Sequence, residues 1–187
     1  MNVYDFDGTI YKKDCSVELY MYVLKKKPFL FLVCLPIQIM AFIRYFFHII
    51  SKEKMKEGFF CFLQYWDIDF YIDDFVEEEL KNINDWYLKQ RRNDDVIISA
   101  SPMFLIEKFA KKINIQYVIA SEVDKKTGKF SSLNCHGEEK VRRFLEKFPE
   151  NEVDVFYSDS ESDQPLAKIA KIAYKVHGEQ KKLWMLK

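Results

Sequence analysis

The chain has 187 residues, 49% of them hydrophobic and 17% aromatic, so it can build a sizeable core and is not a disordered segment. Lys plus Arg number 29 and Asp plus Glu number 29, a net charge of zero that gives no general attraction for nucleic acid. Cys15, Cys34, Cys61 and Cys135 lie far apart with no metal-ligand spacing, and read as reduced thiols of a cytoplasmic protein rather than a disulfide framework or zinc site.

Val3-Tyr4 is a short apolar run that leads directly into Asp5-Phe6-Asp7-Gly8-Thr9. The pattern predicts a strand whose carboxyl end carries two acids, where open α/β sheets place their ligand crevices. Strand alternation points Asp5 and Asp7 the same way, and two like charges so close call for a cation. An ordinary Asp-Gly turn after a strand competes with that reading. Because these acids begin at position 5, no signal peptide is expected.

From Val17 to Leu24 apolar residues recur at helical spacing and end in Lys25-Lys26-Lys27, which suits a helix C-terminus. Phe29 to Ile43 then has no charged residue, and Arg44 is the only formal charge before Lys52. Three readings stand for this stretch: a helix pair buried inside a cap, a helix face touching a membrane or acyl chain, and a transmembrane helix. Pro36, Gln38 and Arg44 interrupt the ~20 apolar residues that a membrane span needs. Lys52 to Leu88 predicts two further helices, with Phe59, Phe60, Leu63 and Trp66 on one face and Phe75, Leu80, Ile83 and Trp86 on another.

The remainder changes character. Val96-Ile97-Ile98-Ser99-Ala100 reads as a buried parallel strand, with Ser101 as cap and Pro102 as first residue of the following helix. Tyr117 to Ala120 predicts a strand, and Glu122 to Asn134 a β-hairpin about Thr127-Gly128. Val141, Phe144, Leu145 and Phe148 predict an amphipathic helix starting near Glu138. Val153 to Tyr157 is a further strand, and Ala173 to Val176 the last. This alternation argues an α/β fold, a Rossmann-like parallel sheet with helices on both faces. The first strand must join that sheet, which makes the section in between an all-helical insertion.

Carboxyl ends of neighbouring parallel strands share one edge, so Asp5 and Asp7, Ser99 and Ser101, and Asp159 and Asp163 should meet there. Four converging acids favour a hard divalent cation, and Mg2+ is the best match for carboxylates, a carbonyl and waters beside a phosphate. Ser99 and the helix start at Ser101-Pro102 offer a hydroxyl and N–H groups to an anion. Lys140 would neutralise a phosphoryl group or carboxylate. Singly, Ser101 also reads as a cap, Ser160-Glu161-Ser162-Asp163 as a capping box, and Lys140 as solvated surface.

Asp5-Phe6-Asp7-Gly8-Thr9, Ser99, Lys140 within Gly137-Glu138-Glu139-Lys140, and Tyr157-Ser158-Asp159-Ser160-Glu161-Ser162-Asp163 together resemble the four motifs of the haloacid dehalogenase-like (HAD) superfamily. Their order and spacing resemble its phosphoserine-phosphatase-like subfamily, IB. Ser158 stands where a Gly is common. The resemblance implies a core of residues 1–13 and 89–187 with a helical C1-type cap of 14–88, and a Mg2+-dependent phosphomonoester phosphatase. Asp5 would be the nucleophile and Asp7 the acid and base, its carbonyl also on the metal. Ser99 would hydrogen-bond the phosphoryl group, Lys140 would offset charge on Asp5 and the phosphate, and Asp159 would be the third metal contact, with Asp163 at the metal site holding a metal-bound water or Lys140. Gly8, Thr9, Asp14, Ala100 and Ser101 would line the substrate. Asp14 falls where a phosphoserine phosphatase has a Glu, but Gly58 to Trp66 offers no carboxylate-binding cation, so a phosphoamino acid is not expected. An apolar cap suits a lipid phosphate, as in phosphatidylglycerophosphate phosphatases of this subclass. The alternative expectation is therefore a peripheral, membrane-associated enzyme, and a less favoured one a non-catalytic binding protein on the same fold.

Overall fold

β1 (Asn2–Tyr4) lies at the middle of a six-stranded sheet, although it has only three residues. It pairs in parallel with β2 (Val96–Pro102) and β4 (Val153–Ser158), so both of its edges are covered. β3 (Tyr117–Ser121) and β5 (Ala170–His177) extend the sheet in parallel, and β6 (Gln180–Leu183) closes one edge antiparallel. The order is β3-β2-β1-β4-β5-β6 in a computed structural model that describes residues 1–185. The sheet direction of travel reverses beside β1, the position at which open α/β sheets form their ligand crevice.

Strand alternation sorts the core into two layers. Val3, Val96, Ile98 and Phe156 face α7 (Glu138–Lys147) and α8 (Gln164–Ile169) through Phe144 and Leu166. Tyr4, Ile97 and Tyr157 face α6 (Met103–Lys112) and the helices inserted between β1 and β2. On that side Tyr4, Tyr157 and Tyr174 form a stacked ladder across three strands, with centroids 4.7 and 5.2 Å apart. The predicted α/β architecture is therefore the observed one.

The inserted section holds α1 (Cys15–Lys26), α2 (Leu30–Phe46), α3 (Lys52–Phe59), α4 (Ile68–Glu79) and α5 (Asp85–Gln90). A 3-10 segment, Phe60–Tyr65, buries Phe60, Cys61, Phe62 and Leu63 between α3 and α4. Lys52 to Leu88 is thus three α-helices rather than two, because the chain turns extended at Trp66 and again at Ile83. Phe29 to Ile50 is not a buried helix pair. Pro36 lies within the single helix α2, and only Leu30, Cys34 and Ala41 of that helix are buried. Among the described residues no helix is long and apolar enough to cross a membrane, which removes the transmembrane reading.

Three local expectations also change. β2 runs through Pro102 and α6 begins at Met103 without a side-chain cap, because Ser101 is turned toward other partners. Glu122 to Asn134 carries one isolated bridge, Val123 to Phe130, instead of a hairpin ladder. Asp124 organises its turn by accepting from the Thr127 N–H and hydroxyl, both at 2.7 Å. The sheet also ends one strand later than expected, since the chain reverses at Gly178 (φ +58°) into the wholly exposed β6.

Candidate active site

The tips of β1, β2 and β4 open into one cavity of about 430 Å3, roofed by α1 and α3. Asp5, Asp7, Asp14, Asp159 and Asp163 line it beside Lys52, Lys56 and Lys140, as do the apolar Val17, Met55, Phe59 and Phe60. Its size is in the range of small-molecule sites.

Asp5 continues β1, its N–H donating to the Tyr157 carbonyl at 2.9 Å. Its Oδ1 accepts from Lys140 Nζ at 2.7 Å, and the same ammonium donates to Asp163 Oδ2 at 2.7 Å. Lys140 is 2% exposed and enters from the first turn of α7, where Gly137 supplies the left-handed backbone (φ +60°) that starts the helix. Burial alone would lower the Lys140 pKa, but Asp5 and Asp163 outweigh it and hold the ammonium above its ordinary value. Burial pushes the Asp5 carboxyl up against the pull of Lys140, with Asp163 and Asp7 adding to the rise. One lysine shared by two carboxylates thus leaves Asp5 short of positive charge.

Asp7 faces a different set of donors. Its Oδ1 accepts from the Cys15 N–H at 2.7 Å and its Oδ2 from the Ser101 hydroxyl at 2.6 Å. The Ser101 oxygen in turn lies 3.2 Å from the Ser16 hydroxyl. Burial and then Asp14 raise the Asp7 pKa, the direction that a proton donor near neutral pH requires. Asp14 itself caps α1, its Oδ1 accepting from Ser16 and Val17 N–H at 2.9 and 3.0 Å. Ser99 is buried behind this surface, its hydroxyl accepting from the Ser101 N–H at 3.1 Å, and Ala100 and Ser101 form the wall on that strand.

Asp159 hangs over the turn after Asp7. Gly8 has φ +70° there, and a Cβ would collide with the Asp159 carboxylate, so both backbone and space demand glycine. The Asp159 N–H donates to Thr9 Oγ1 at 3.0 Å, while Asn84 Nδ2 donates to the Thr9 carbonyl at 2.6 Å. Asp159 remains open to solvent, and partial desolvation at the cavity wall raises its pKa, with Asp163 adding to the rise. Asp163 lies elsewhere, accepting from Lys140 and from the Ser158 hydroxyl at 2.8 Å. Asp163 stands at the N-cap position of α8 without a side-chain capping bond, while Ser160 caps the 3-10 turn Glu161–Asp163 before it, accepting from the Ser162 N–H at 3.3 Å.

Among the described residues no three Asp, Glu, His or Cys side chains close into a preformed metal cage. Both Asp7 oxygens accept from other donors, whereas Asp5 engages only Oδ1 and Asp163 only Oδ2, so among the described residues the Asp5 and Asp159 carboxylates and Asp163 Oδ1 are the side-chain oxygens available to a cation. The cavity has five carboxylates against three lysines, a deficit of two positive charges. A hard divalent ion on two carboxylates and waters suits that deficit, so the residues fit Mg2+.

Several lining residues escaped the sequence reading. Lys56 Nζ donates to the Ala100 carbonyl at 2.8 Å and to Asn134 Oδ1 at 3.0 Å, and burial lowers its pKa. Lys52 Nζ lies 3.1 Å from His136 Nε2, whose pKa burial and Lys52 both lower. Cations absent from Gly58 to Trp66 therefore reach the cavity from the preceding helix. The alternation of Lys with Met55 and Phe59 on α3 was the available signal.

A family model described as haloacid dehalogenase-like hydrolase matches residues 3–168. No curated protein sequence matches the chain. A solved protein of unknown function from Bordetella pertussis Tohama I superposes with a TM-score of 0.73 at 16% identity, covering 90% of this chain and 85% of that one. A substrate-bound phosphoserine phosphatase gives 0.55 at 15% identity over 91% and 82%. A phosphoserine phosphohydrolase-like protein from Francisella tularensis subsp. tularensis SCHU S4 gives 0.51 at 19% over 92% and 86%. At these identities the likeness speaks for the fold.

Proposed function

The chain belongs to the haloacid dehalogenase-like hydrolases, and from that premise we propose that it is a Mg2+-dependent phosphomonoester phosphatase working through a phosphorylated Asp5. The observation that carries this reading is the different set of partners around two carboxylates of one cavity, the buried Asp5 and the half-buried Asp7. Asp5 is held by a lysine, and Asp7 by hydroxyl and amide donors with its pKa raised. Burial raises both carboxyls, so what separates them is their partners: the Lys140 ammonium favours a charged, nucleophilic Asp5, and Asp7, with no cation on it, is the one placed to carry a proton.

In this reading Asp5 Oδ attacks phosphorus as the ester P–O bond breaks, and the leaving oxygen takes a proton from Asp7. Asp7 then removes a proton from water, whose oxygen attacks the same phosphorus and releases inorganic phosphate and the Asp5 carboxylate. Lys140 holds Asp5 and offsets phosphoryl charge, Ala100 and Ser101 wall the phosphoryl site, and Ser99, behind that wall, positions Ser101 by accepting its N–H. Mg2+, held by the Asp5 and Asp159 carboxylates and the Asp7 carbonyl, would supply charge neutralisation. Residues 1–13 and 89–187 form the catalytic core, and 14–88 the cap that supplies Lys52, Lys56 and Phe59 to the substrate.

Asp5→Asn is expected to lower turnover of an aryl phosphate by about 1,000-fold or more, and EDTA to remove wild-type turnover until Mg2+ is restored. Asp7→Asn should cost about 100- to 10,000-fold on an alkyl phosphate and less on nitrophenyl phosphate, whose leaving group needs little protonation. Unchanged turnover in Asp5→Asn or in EDTA would end this reading. A lipid phosphate is the second substrate reading, favoured by the exposed apolar helix α2 beside the roof of the cavity. Preferential turnover of phosphatidate over sugar phosphates tests it.

A further inference from the structure

α2 pairs an apolar composition with little burial. Its buried stripe is Leu30, Cys34 and Ala41, joined by Gln38, which accepts from the Tyr20 hydroxyl and donates to the Phe59 carbonyl, both at 3.1 Å. The rest of the helix and its exit turn face outward. Leu32 is 75% exposed, Phe46 66%, Phe47 65% and Ile49 64%, with Phe29 and Phe42 at 59%. Large side chains exposed together on this scale mark an interaction surface.

Charge decides what fits it. Between Glu18 and Glu53 there is no Asp or Glu, whereas Lys25, Lys26, Lys27, Arg44 and Lys52 all fall in that interval, in a chain whose overall charge is zero. The apolar surface is thus bounded by cations at both ends. A second copy docked symmetrically would set like charges against each other, since a twofold interface apposes the same patch. An anionic lipid surface meets both properties, with acyl chains for the aromatic residues and phosphates for the cations. A groove of about 530 Å3 along α2 repeats the pattern on a smaller scale, with Pro36, Ile37, Met40 and Ala41 for its wall and Arg44 and Lys54 at its rim.

We propose that α2 and its flanks, Lys25 to Ile50, seat the protein on an anionic membrane surface, lying on the bilayer without crossing it. α3 links this surface to the cavity: Gly58 packs on Ala41 of α2, while Lys52, Met55, Lys56 and Phe59 of the same helix line the cavity. The bilayer therefore lies one helix away from the candidate active site.

Co-sedimentation of the full chain with phosphatidylcholine vesicles, with and without phosphatidylglycerol, tests this at low and high salt. Binding is expected only with phosphatidylglycerol present, about tenfold or more above neutral vesicles, and weaker in salt. Leu32→Asp/Phe46→Asp should abolish binding, and Arg44→Ala should weaken it about fivefold. Both apolar positions face solvent, so the double variant should keep the wild-type circular dichroism and aryl phosphatase rate. Wild-type protein that ignores anionic vesicles, or binds neutral and anionic ones equally, would overturn the proposal. So would a solution dimer that the double variant dissolves while vesicles stay bare. Vesicle binding is read without turnover, so its failure leaves the phosphatase reading standing.

Discussion

Lys140 is the side chain whose loss should cost the molecule most. It is 2% exposed and its ammonium bridges Asp5 and Asp163, both buried. Removing one partner of such a group strands the remaining charges, at about 3–5 kcal/mol. Lys140→Met is therefore expected to lose about that much stability in EDTA, measured by urea unfolding. Adding Asp163→Asn should return part of it, because the Ser158 hydroxyl can still donate to the amide oxygen. A single variant within about 1 kcal/mol of wild type would mean that these carboxylates do not depend on the lysine. Sequence pattern alone could not distinguish Lys140 from the many solvated lysines, and only the four-motif resemblance singled it out. Lys52 and Lys56 had no such support. Their neighbours on α3 look like those of any amphipathic surface helix, and the packing of that helix over the strand tips decides which way they face.

Strands that are buried on both faces announce themselves as continuous apolar runs, which is why Val96 to Ile98 and Val153 to Tyr157 were legible. β6 was not, because Gln180-Lys181-Lys182-Leu183 has the polar, lysine-rich composition that an exposed edge strand tolerates. α2 misleads in the opposite sense. Hydrophobicity says that a surface should be covered, and only the tertiary structure says whether the chain itself covers it. The contact that holds α2 in place is narrow. A Cβ at Gly58 would run into the Ala41 side chain, so the two helices meet where one has no side chain. In an isolated helix Ala is favoured over Gly by about 1 kcal/mol. Gly58→Ala should nevertheless destabilise the protein by about 1–3 kcal/mol through overpacking, and Ala41→Gly in the same chain should recover most of the loss. Thermal unfolding of the single and double variants checks this. Stabilisation by Gly58→Ala alone would show that α2 does not pack on α3 this closely.

Across the whole molecule, zero net charge conceals two local imbalances, the acid-free segment around α2 and the acid-rich cavity at the strand tips. The second was largely legible, because parallel topology puts the carboxyl ends of neighbouring strands on one edge and the apolar runs revealed which segments were strands. Sequence could not apportion the acids, since whether a carboxylate meets a lysine, a hydroxyl or a cation depends on ångström-scale placement across the fold. That apportionment has a thermodynamic consequence. With no divalent ion, partial desolvation in the cavity and the nearby Asp163 disfavour a charged Asp159, so neutralising it relieves repulsion. Asp159→Asn is expected to melt at or above the wild-type temperature in EDTA. In Mg2+ the order should reverse, because an ion bound only by the folded state stabilises it by about 2.7 kcal/mol at a hundredfold excess over its dissociation constant. The amide would forfeit most of that gain, and the two melting curves should cross as Mg2+ is titrated, with no substrate in the cell. If wild type and variant respond alike to Mg2+, the ion is not held by Asp159 and the charge deficit of the cavity is met in some other way.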